Sequence, residues 1–521
     1  MKQRIFFLVL IVITFSTQAQ NEIDAFRYSS QNMFGTARST AFSGALGSLG
    51  GDFSCISNNP AGLGMYQFTE ITFSPSFNLN STSSYNNKIV LLDDIVYKER
   101  FDEETSNGTI GNIGYISSNA RKDNEWKRLN FGVGYNLLAN YDKNIYINTL
   151  NNTSSLADNL LSIAQGNTIN QLDAFFGAPA FWTDIIDLQN NSIDTSLNQY
   201  LYDNGNYISH VMSNGLKRQE HIFNSSGDMG EVAFSVASSY DEKLYIGATI
   251  GFPVFEYSET INHREDIMSD TINSLGSFEY LQNLYANGEG INIKIGGIYR
   301  VNDKIKIGGA LHSPTYFNIN EEFRTITQAN FTDSSYTEYS PINYFEYQLT
   351  TPWKAIASLS ANINQNILLS ADYEMIDYSL SNLSVEGLRN DDGTEIFSEQ
   401  NNNIENLYQK AENIRLGIEY KMNPFSLRAG YARNSSPLVE TEEVLFENFS
   451  FGAGIDYGGY YFDIAYVLSE TNDTYQMYSS DFINSTDLAY TNHNVVLTLG
   501  LRYKLISLFI PALALFLIPF S

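Results

Sequence analysis

The chain has a single cysteine, Cys55, among 521 residues, so no internal disulfide can staple it. Basic residues are scarce: 30 Lys and Arg stand against 58 Asp and Glu, a formal net charge of −28. So acidic a surface repels phosphate backbones and excludes nucleic acid as a partner. Charged residues of all kinds make up only 17%, below the roughly 25% of an ordinary soluble domain. Proline (11) and tryptophan (3) are sparse. Between the first twenty residues and residue 504 there is no apolar run of about 18, so no ordinary membrane helix is expected there. At 43% hydrophobic content, the chain has enough apolar material to escape disorder.

What is abundant is Tyr (35), Phe (34) and Gly (36). They fall in alternating segments. In Asn130–Leu137, Phe131, Val133, Tyr135 and Leu137 share one face, and Asn130, Gly132, Gly134 and Asn136 share the other. Leu244, Ile246, Ala248, Ile250 and Phe252 repeat the pattern against Tyr245, Gly247, Thr249 and Gly251. Period two between an apolar and a small or polar face marks a strand separating two environments. Fourteen such segments are predicted, near 68–80, 111–119, 128–142, 229–239, 243–258, 289–301, 304–319, 344–363, 367–380, 411–421, 425–434, 448–457, 460–470 and 492–504.

Connections alternate in length. Short ones fall at Asp241-Glu242, Asn302-Asp303, Asn364–Asn366, Met422–Pro424 and Gly458-Gly459; long ones cover 81–110, 143–228, 259–288, 320–340, 381–410, 435–447 and 471–491. This predicts an all-β fold: a transmembrane antiparallel β-barrel with its tight turns on the periplasmic side. A soluble β-sandwich would not need so regular an alternation. The largest loop, 143–228, contains helix-like apolar stretches (Leu156, Leu160, Leu161, Ile163) and the aromatics Phe175, Phe176, Phe181 and Trp182. These four aromatics are candidate ligand contacts in a lid over the barrel mouth.

The ends are read separately. Lys2 and Arg4, the apolar Phe6–Phe15 and Thr17-Gln18-Ala19 predict a signal peptide over 1–19, with the mature chain starting near Gln20. Residues 20–66 are expected to form a hatch and 67–504 the barrel. The tail, 505–521, is apolar but interrupted by Pro511 and Pro519. A barrel chain ordinarily ends in its last strand; the tail is open to several readings, among them an extra membrane-associated segment or a piece buried in an assembly factor.

Residues 24–64 do not alternate. Gly44, Gly47, Gly50 and Gly51 precede Ser57-Asn58-Asn59-Pro60-Ala61-Gly62-Leu63, a small, turn-forming composition that can fold compactly inside a barrel. The Asn59-Pro60-Ala61 motif resembles the hatch motif of the outer-membrane long-chain fatty acid and aromatic hydrocarbon transporters, the FadL/TodX type. The stretch Gly35-Thr36-Ala37-Arg38-Ser39-Thr40-Ala41-Phe42-Ser43-Gly44-Ala45 is similar to the opening of that family's Bacteroidetes members. Gly296–Arg300 with Gly308–Pro314, Thr351-Pro352-Trp353, Ser370–Glu374 and Leu427–Tyr431 extend the resemblance over nearly the whole mature chain. It implies fourteen strands around an N-terminal hatch and passive uptake of hydrophobic molecules. Capture at the loops and hatch rearrangement would precede exit sideways through a kinked third strand into outer-membrane lipid. It also implies delivery by the barrel assembly machinery. Gly132 and Gly134, in the third predicted segment, are the kink candidates; ordinary small lumen-facing residues are the alternative.

No covalent chemistry is indicated. His210, His221, His263, His312 and His493 form no His-Glu-x-x-His motif and no close pair in sequence. His312-Ser313 is an adjacent pair whose side chains would point to opposite faces of a strand, which does not make a barrel phospholipase. Asn390-Asp391-Asp392-Gly393 misses EF-hand spacing and reads as a solvated turn. No enzyme, metal or cofactor is therefore expected. Two other functions compete: a structural or adhesive barrel, and a haem-related receptor using loop His and Tyr.

Overall fold

The computed structural model describes residues 22–503 apart from 33–34, 86–90, 93–94, 97–99, 122–124, 190–192, 195–198, 201–204, 270–273, 390–392 and 440–443. The predicted signal peptide, the 505–521 tail and most of the Asn390–Gly393 turn lie outside the described residues.

Fourteen antiparallel strands close into one barrel. They are β1 (Thr69–Tyr85), β2 (Arg100–Ala120), β3 in two pieces (Trp126–Asn140 and Lys143–Asn151), β4 (Lys217–Tyr240), β5 (Leu244–Ile267), β6 (Leu275–Arg300), β7 in two pieces (Ile305–His312 and Tyr316–Phe331), β8 in two pieces (Asn343–Thr350 and Lys354–Asn362), β9 (Ile367–Asp377), β10 (Lys410–Met422), β11 (Phe425–Ser435), β12 (Val444–Asp456), β13 (Tyr460–Tyr475) and β14 (Thr486–Tyr503). Each pairs with its sequence neighbour, and β1 pairs with β14 from Thr69↔Tyr503 to Tyr85↔Asp487, so the sheet has no free first or last edge.

The alternation behaves as predicted. On β5, Ile246, Ile250, Phe252 and Val254 are exposed on the outer face, while Thr249 is buried inside. Ile293 and Ile295 on β6, Ile414, Leu416 and Ile418 on β10, and Leu499 and Leu501 on β14 continue the apolar belt. The tight turns fall where expected. Asp241 and Glu242 both take positive φ (49° and 51°), and Lys243 N closes the turn on the Tyr240 carbonyl (3.0 Å), a turn whose twist follows that of the strands.

The strands run further than predicted, and the loops are correspondingly shorter. The expected 143–228 loop is reduced to 152–216, because Lys143–Asn151 pairs with Lys217–Ser225 of β4. Above the belt both strand faces are polar: β4 turns Arg218, Glu220 and Asn224 outward and Gln219, His221 and Ser225 inward. The backbone ladder continues while the hydropathy signal disappears. Two predicted strands are also interrupted. β7 breaks at Ser313–Thr315 and β8 at Thr351–Trp353, where Pro314 and Pro352 remove donors. The two breaks are stitched to each other by Thr315 N donating to Thr351 Oγ1 (2.8 Å) and Thr351 N to the Thr315 carbonyl (3.0 Å).

Residues 22–32 and 35–66 sit inside the lumen, as α1 (Glu22–Ser29), α2 (Ala37–Ala41) and two 3₁₀ turns, Phe53–Ile56 and Pro60–Met65. Short polar side chains set these elements. Thr36 caps α2 by accepting from Ser39 N (3.1 Å), Asp52 caps the first 3₁₀ turn through Ser54 N (2.9 Å), and Asn59 caps the second through Ala61 N (3.1 Å). Thr36 in turn donates to Asp52 (2.7 Å), joining the caps. Cys55 is buried beside Phe53, Ile56 and Leu63. Burial pushes its thiol well above the usual value.

Candidate functional site: hatch seat, lumen cavity and the break in the third strand

The hatch is fixed to the wall by individual side-chain bonds distributed around the barrel. Asn59 Nδ2 donates to the Gly47 carbonyl within the hatch (2.7 Å) and faces the Gly297 and Gly309 carbonyls of β6 and β7 (3.3 Å each). His312 Nε2 donates to the Asn58 carbonyl (2.7 Å), and Gly47 N donates to Asp372 on β9 (2.9 Å). Ala37 N reaches Thr498 on β14 (2.7 Å), and Ser57 Oγ reaches Glu231 on β4 (3.0 Å). Pro60 and Ala61 press on Gly247 of β5, where an added Cβ would meet the Pro60 carbonyl at 2.4 Å. The predicted hatch motif is therefore the part of the hatch set against β5, β6 and β7.

Gly132 and Gly134 lie in the regularly paired part of β3, at Ile116↔Gly132 and Gly114↔Gly134. The pairing is unbroken there. Both glycines face the hatch. A Cβ on Gly134 would lie 2.5 Å from Phe53 Cζ and 2.2 Å from the Ile113 carbonyl, and one on Gly132 would touch Leu63 at 3.3 Å. They leave room for the hatch.

The third strand breaks further on, at Tyr141-Asp142. Pairing between β2 and β3 ends at Asn112↔Asn136, and Arg100–Gly111 of β2 has no ladder partner on that side. Opposite the break, Gly227 of β4 adopts φ +121°, a conformation natural to glycine, and its carbonyl accepts from Tyr141 N (2.9 Å). In place of a ladder, side chains cross the gap. Asn107 Nδ2 donates to the Asp142 carboxylate, Asn80 Nδ2 to the Asp142 carbonyl (3.3 Å), and Asn144 Nδ2 to Thr105 Oγ1 (3.4 Å). Sequence reasoning missed this latch because Asn140-Tyr141-Asp142 was read as part of one strand. The signal was present: Asn and Asp are depleted in strands and favour local turns.

Two cavities flank the break. One of about 610 Å³ lies in the lumen against α1 and reaches Asn140–Lys143. The other, about 280 Å³, lies between Thr105 of β2 and Asn224–Ser226 of β4, with Asp142 on its wall too. On the tight-turn side of the hatch a third cavity of about 910 Å³ is lined by charges, among them Arg38, Glu419, Arg428 and Asp463. These are paired: Arg428 with Glu419 (2.7 Å) and with Asp463 (2.5 Å), and Arg38 with Glu419 (3.7 Å).

Above the hatch, α1 packs into an aromatic cluster. Tyr28 stacks on Phe255 (4.2 Å between centroids), and Phe26 stacks on Tyr408 (5.5 Å). Of the four predicted loop aromatics, Phe175 belongs to this cluster against Phe323 (5.4 Å), Phe176 stacks on Tyr280 (6.1 Å), and Phe181 is buried against Tyr207 (5.9 Å). Only Trp182 is exposed, at 51%. The lid helix α3 (Leu156–Ala164) starts at a capping box of Ser155 and Asp158, and its first turn is held by Glu265, which accepts from Ser155 Oγ (2.5 Å) and Leu156 N (2.8 Å). A short helix, α4 (Gly177–Trp182), follows.

His221 and His263, distant in sequence, are brought face to face on β4 and β5 with Nδ1···Nδ1 at 3.1 Å, a pair that only the strand register creates. His221 Nε2 meets Tyr475 OH (2.9 Å) and His263 Nε2 meets Glu265 (3.1 Å). His210 is buried, its Nδ1 donating to the Asp184 carbonyl (2.6 Å). Among the described residues no group of His, Cys, Asp and Glu is arranged to hold a metal.

No protein-family model matches the chain, and no curated protein does. Solved structures do. A Pseudomonas aeruginosa FadL homologue aligns with a TM-score of 0.52 and 12% identity over 91% of this chain and 99% of that one. The P. putida toluene transporter TodX gives 0.47 and 12%, over 92% and 99%. The Ralstonia pickettii toluene transporter TbuX gives 0.46 and 14%, over 92% and 100%. At 12% identity the likeness to the first is one of fold: a fourteen-stranded barrel around an N-terminal segment.

Proposed function

We propose that the chain is an outer-membrane channel for passive uptake of hydrophobic small molecules, of the long-chain fatty acid and aromatic hydrocarbon transporter type. The observation that carries the reading is the pairing of a filled axis with an open side. The hatch occupies the straight route through the lumen, while the ladder between β2 and β3 stops beside a cavity of about 610 Å³. Cargo captured at the outer loops, near the exposed Trp182, descends to that cavity. A shift of the hatch about Asn59-Pro60-Ala61 then frees its passage sideways between β2 and β3. Burying an apolar chain yields about 0.8 kcal/mol per CH₂, so no energy source is needed for capture.

The test is a lock across the gap. Thr105→Cys with Asn144→Cys replaces a 3.4 Å side-chain contact by a disulfide. Uptake of a labelled hydrophobe by cells carrying the oxidised barrel should fall at least about tenfold and return on reduction, if sideways passage carries nearly all the flux. Undiminished uptake through a fully cross-linked barrel refutes the lateral route.

A further inference from the structure

The chemistry along the break points to a cargo more specific than a hydrocarbon, an inference that rests on the lateral route proposed above. The lumen cavity has two characters. Phe26, Phe223 and Tyr257 offer an apolar wall, whereas the end at the break presents Asn80, Asn140 and Asp142. Beyond the break the polar character continues: Thr105, Asn144 and Ser225 line the outer cavity. A pure hydrocarbon would cross this stretch only by stripping water from amide and hydroxyl groups and leaving them unbonded.

The gap also opens at a particular height. The strands beside it carry exposed Asp228 on β4 and Glu256 on β5 on their outer faces, whereas the apolar belt on β5 ends at Val254. On the other side Ile110 of β2 and Phe77 and Leu79 of β1 are exposed, so the opening straddles the rim of the apolar belt, where an amphiphile rests with its polar end in water.

Charge narrows the class further. Every cation on the lumen cavity is already paired: Arg27 with Asp24 and Glu259, Lys143 with Asp473 (3.6 Å), and Arg415 with Glu374 (2.7 Å). The group at the break itself is a carboxylate, and its bonds come from the Asn107 and Asn140 amides and the Gly227 N–H. A carboxylate head would meet Asp142 with no spare cation to offset it.

We infer that the break selects amphiphiles with an uncharged hydrogen-bonding head, the class of long-chain alcohols and amides, over fatty-acid anions of equal length. The Asn80, Asn107 and Asn140 amides exchange their latch bonds for bonds to the passing head, so the gap opens without unpaired donors. Asp142 discriminates against the anion.

The experiment compares decan-1-ol, decanoate, decylammonium and decane binding to the full-length barrel in lipid nanodiscs at pH 8.5, relative to empty discs. Decanol should bind at least about tenfold more tightly than decanoate, as expected for like charges meeting in a partly screened site. Asp142→Asn, nearly isosteric, should bring decanoate to within about threefold of decanol. Equal binding of alcohol and carboxylate by the wild type, or an unchanged ratio in the variant, overturns the inference. Decylammonium binding more tightly than decanol overturns the uncharged-head assignment. Decane binding as well as decanol overturns the selection while leaving the channel reading intact, whereas binding of none of the four removes both.

Discussion

Replacing Asn59 by alanine should loosen the hatch while leaving the wall standing, and the chain's only cysteine reports it. Asn59 caps the Pro60–Met65 turn through Ala61 N and donates to the Gly47 carbonyl, facing two wall carbonyls besides. Loss of a cap costs about 1 kcal/mol. Leaving a buried carbonyl without its donor costs about 1–3 kcal/mol more. The sum, about 2–4 kcal/mol, corresponds to a roughly 30- to 1,000-fold rise in the open population of the hatch. Cys55 is 2% exposed and packs against Gly62 of the same turn, where an added Cβ would lie 2.8 Å from Cys55 Cβ. Its thiol reacts with a maleimide only when the hatch opens, so the labelling rate reads the opening equilibrium directly. Expected is labelling at least about 30-fold faster in Asn59→Ala than in the wild type, with unchanged heat-modifiable mobility of the barrel. A rate within twofold of wild type would mean that these bonds do not hold the hatch, and the gate assignment of the motif would go with them.

Further outcomes follow from other contacts. Gly134→Val places a side chain where Phe53 lies, 2.5 Å from Cζ, and should speed Cys55 labelling as well; unaltered labelling in a folded barrel refutes the fit. Glu265→Ala strips acceptors from Ser155, Leu156 N, Gln219 and His263, so proteolysis within 152–216 should quicken by at least about thirtyfold, as expected for about 2 kcal/mol or more. In intact cells, protease should cut within 152–216 and spare the turns at 241–242 and 302–303; cleavage of those turns with 152–216 protected inverts the topology. Deleting residues 22–66 should raise single-channel conductance; an unchanged conductance in an assembled barrel refutes the plug.

Much of the wall was legible because one physical contrast, lipid outside and polar lumen inside, writes itself at period two. Ile246, Ile250 and Phe252 against Gly247, Thr249 and Gly251 carry it plainly. The reading stopped where that contrast stops. Lys217–Asp228 is strand by its hydrogen bonds but mostly polar on both faces, with Ile222 and Phe223 the exceptions, so its sequence resembles a loop. The site was less legible, because each of its features is a contact between distant residues. His221 opposite His263, Asn107 across from Asp142 and Phe175 beneath Phe323 depend on barrel register and on where a long loop folds back, and no local pattern encodes either. The glycines show the limit most clearly. Gly132 and Gly134 stand out in the sequence, yet their surroundings are set by Phe53 and Leu63, some seventy to eighty residues earlier in the chain.

The way bonds are distributed supports the proposed division between a durable wall and a movable hatch. The wall is a continuous backbone ladder, so opening it anywhere exposes several unpaired groups at once to lipid, each costing several kcal/mol. Hatch and latch are built differently. Asn59, His312, Asp372 and Thr498 hold the hatch singly, and Asn107, Asn80 and Asn144 hold the gap. Each such bond contributes only about 1 kcal/mol net, because water or a polar head can replace its partner. Moving the hatch past two or three of them requires a few kcal/mol, within reach of thermal motion on the millisecond scale. Separating β2 from β3 elsewhere would break the ladder. On the lateral route proposed above, the gap beyond Asn112 is where the barrel would open without breaking its ladder.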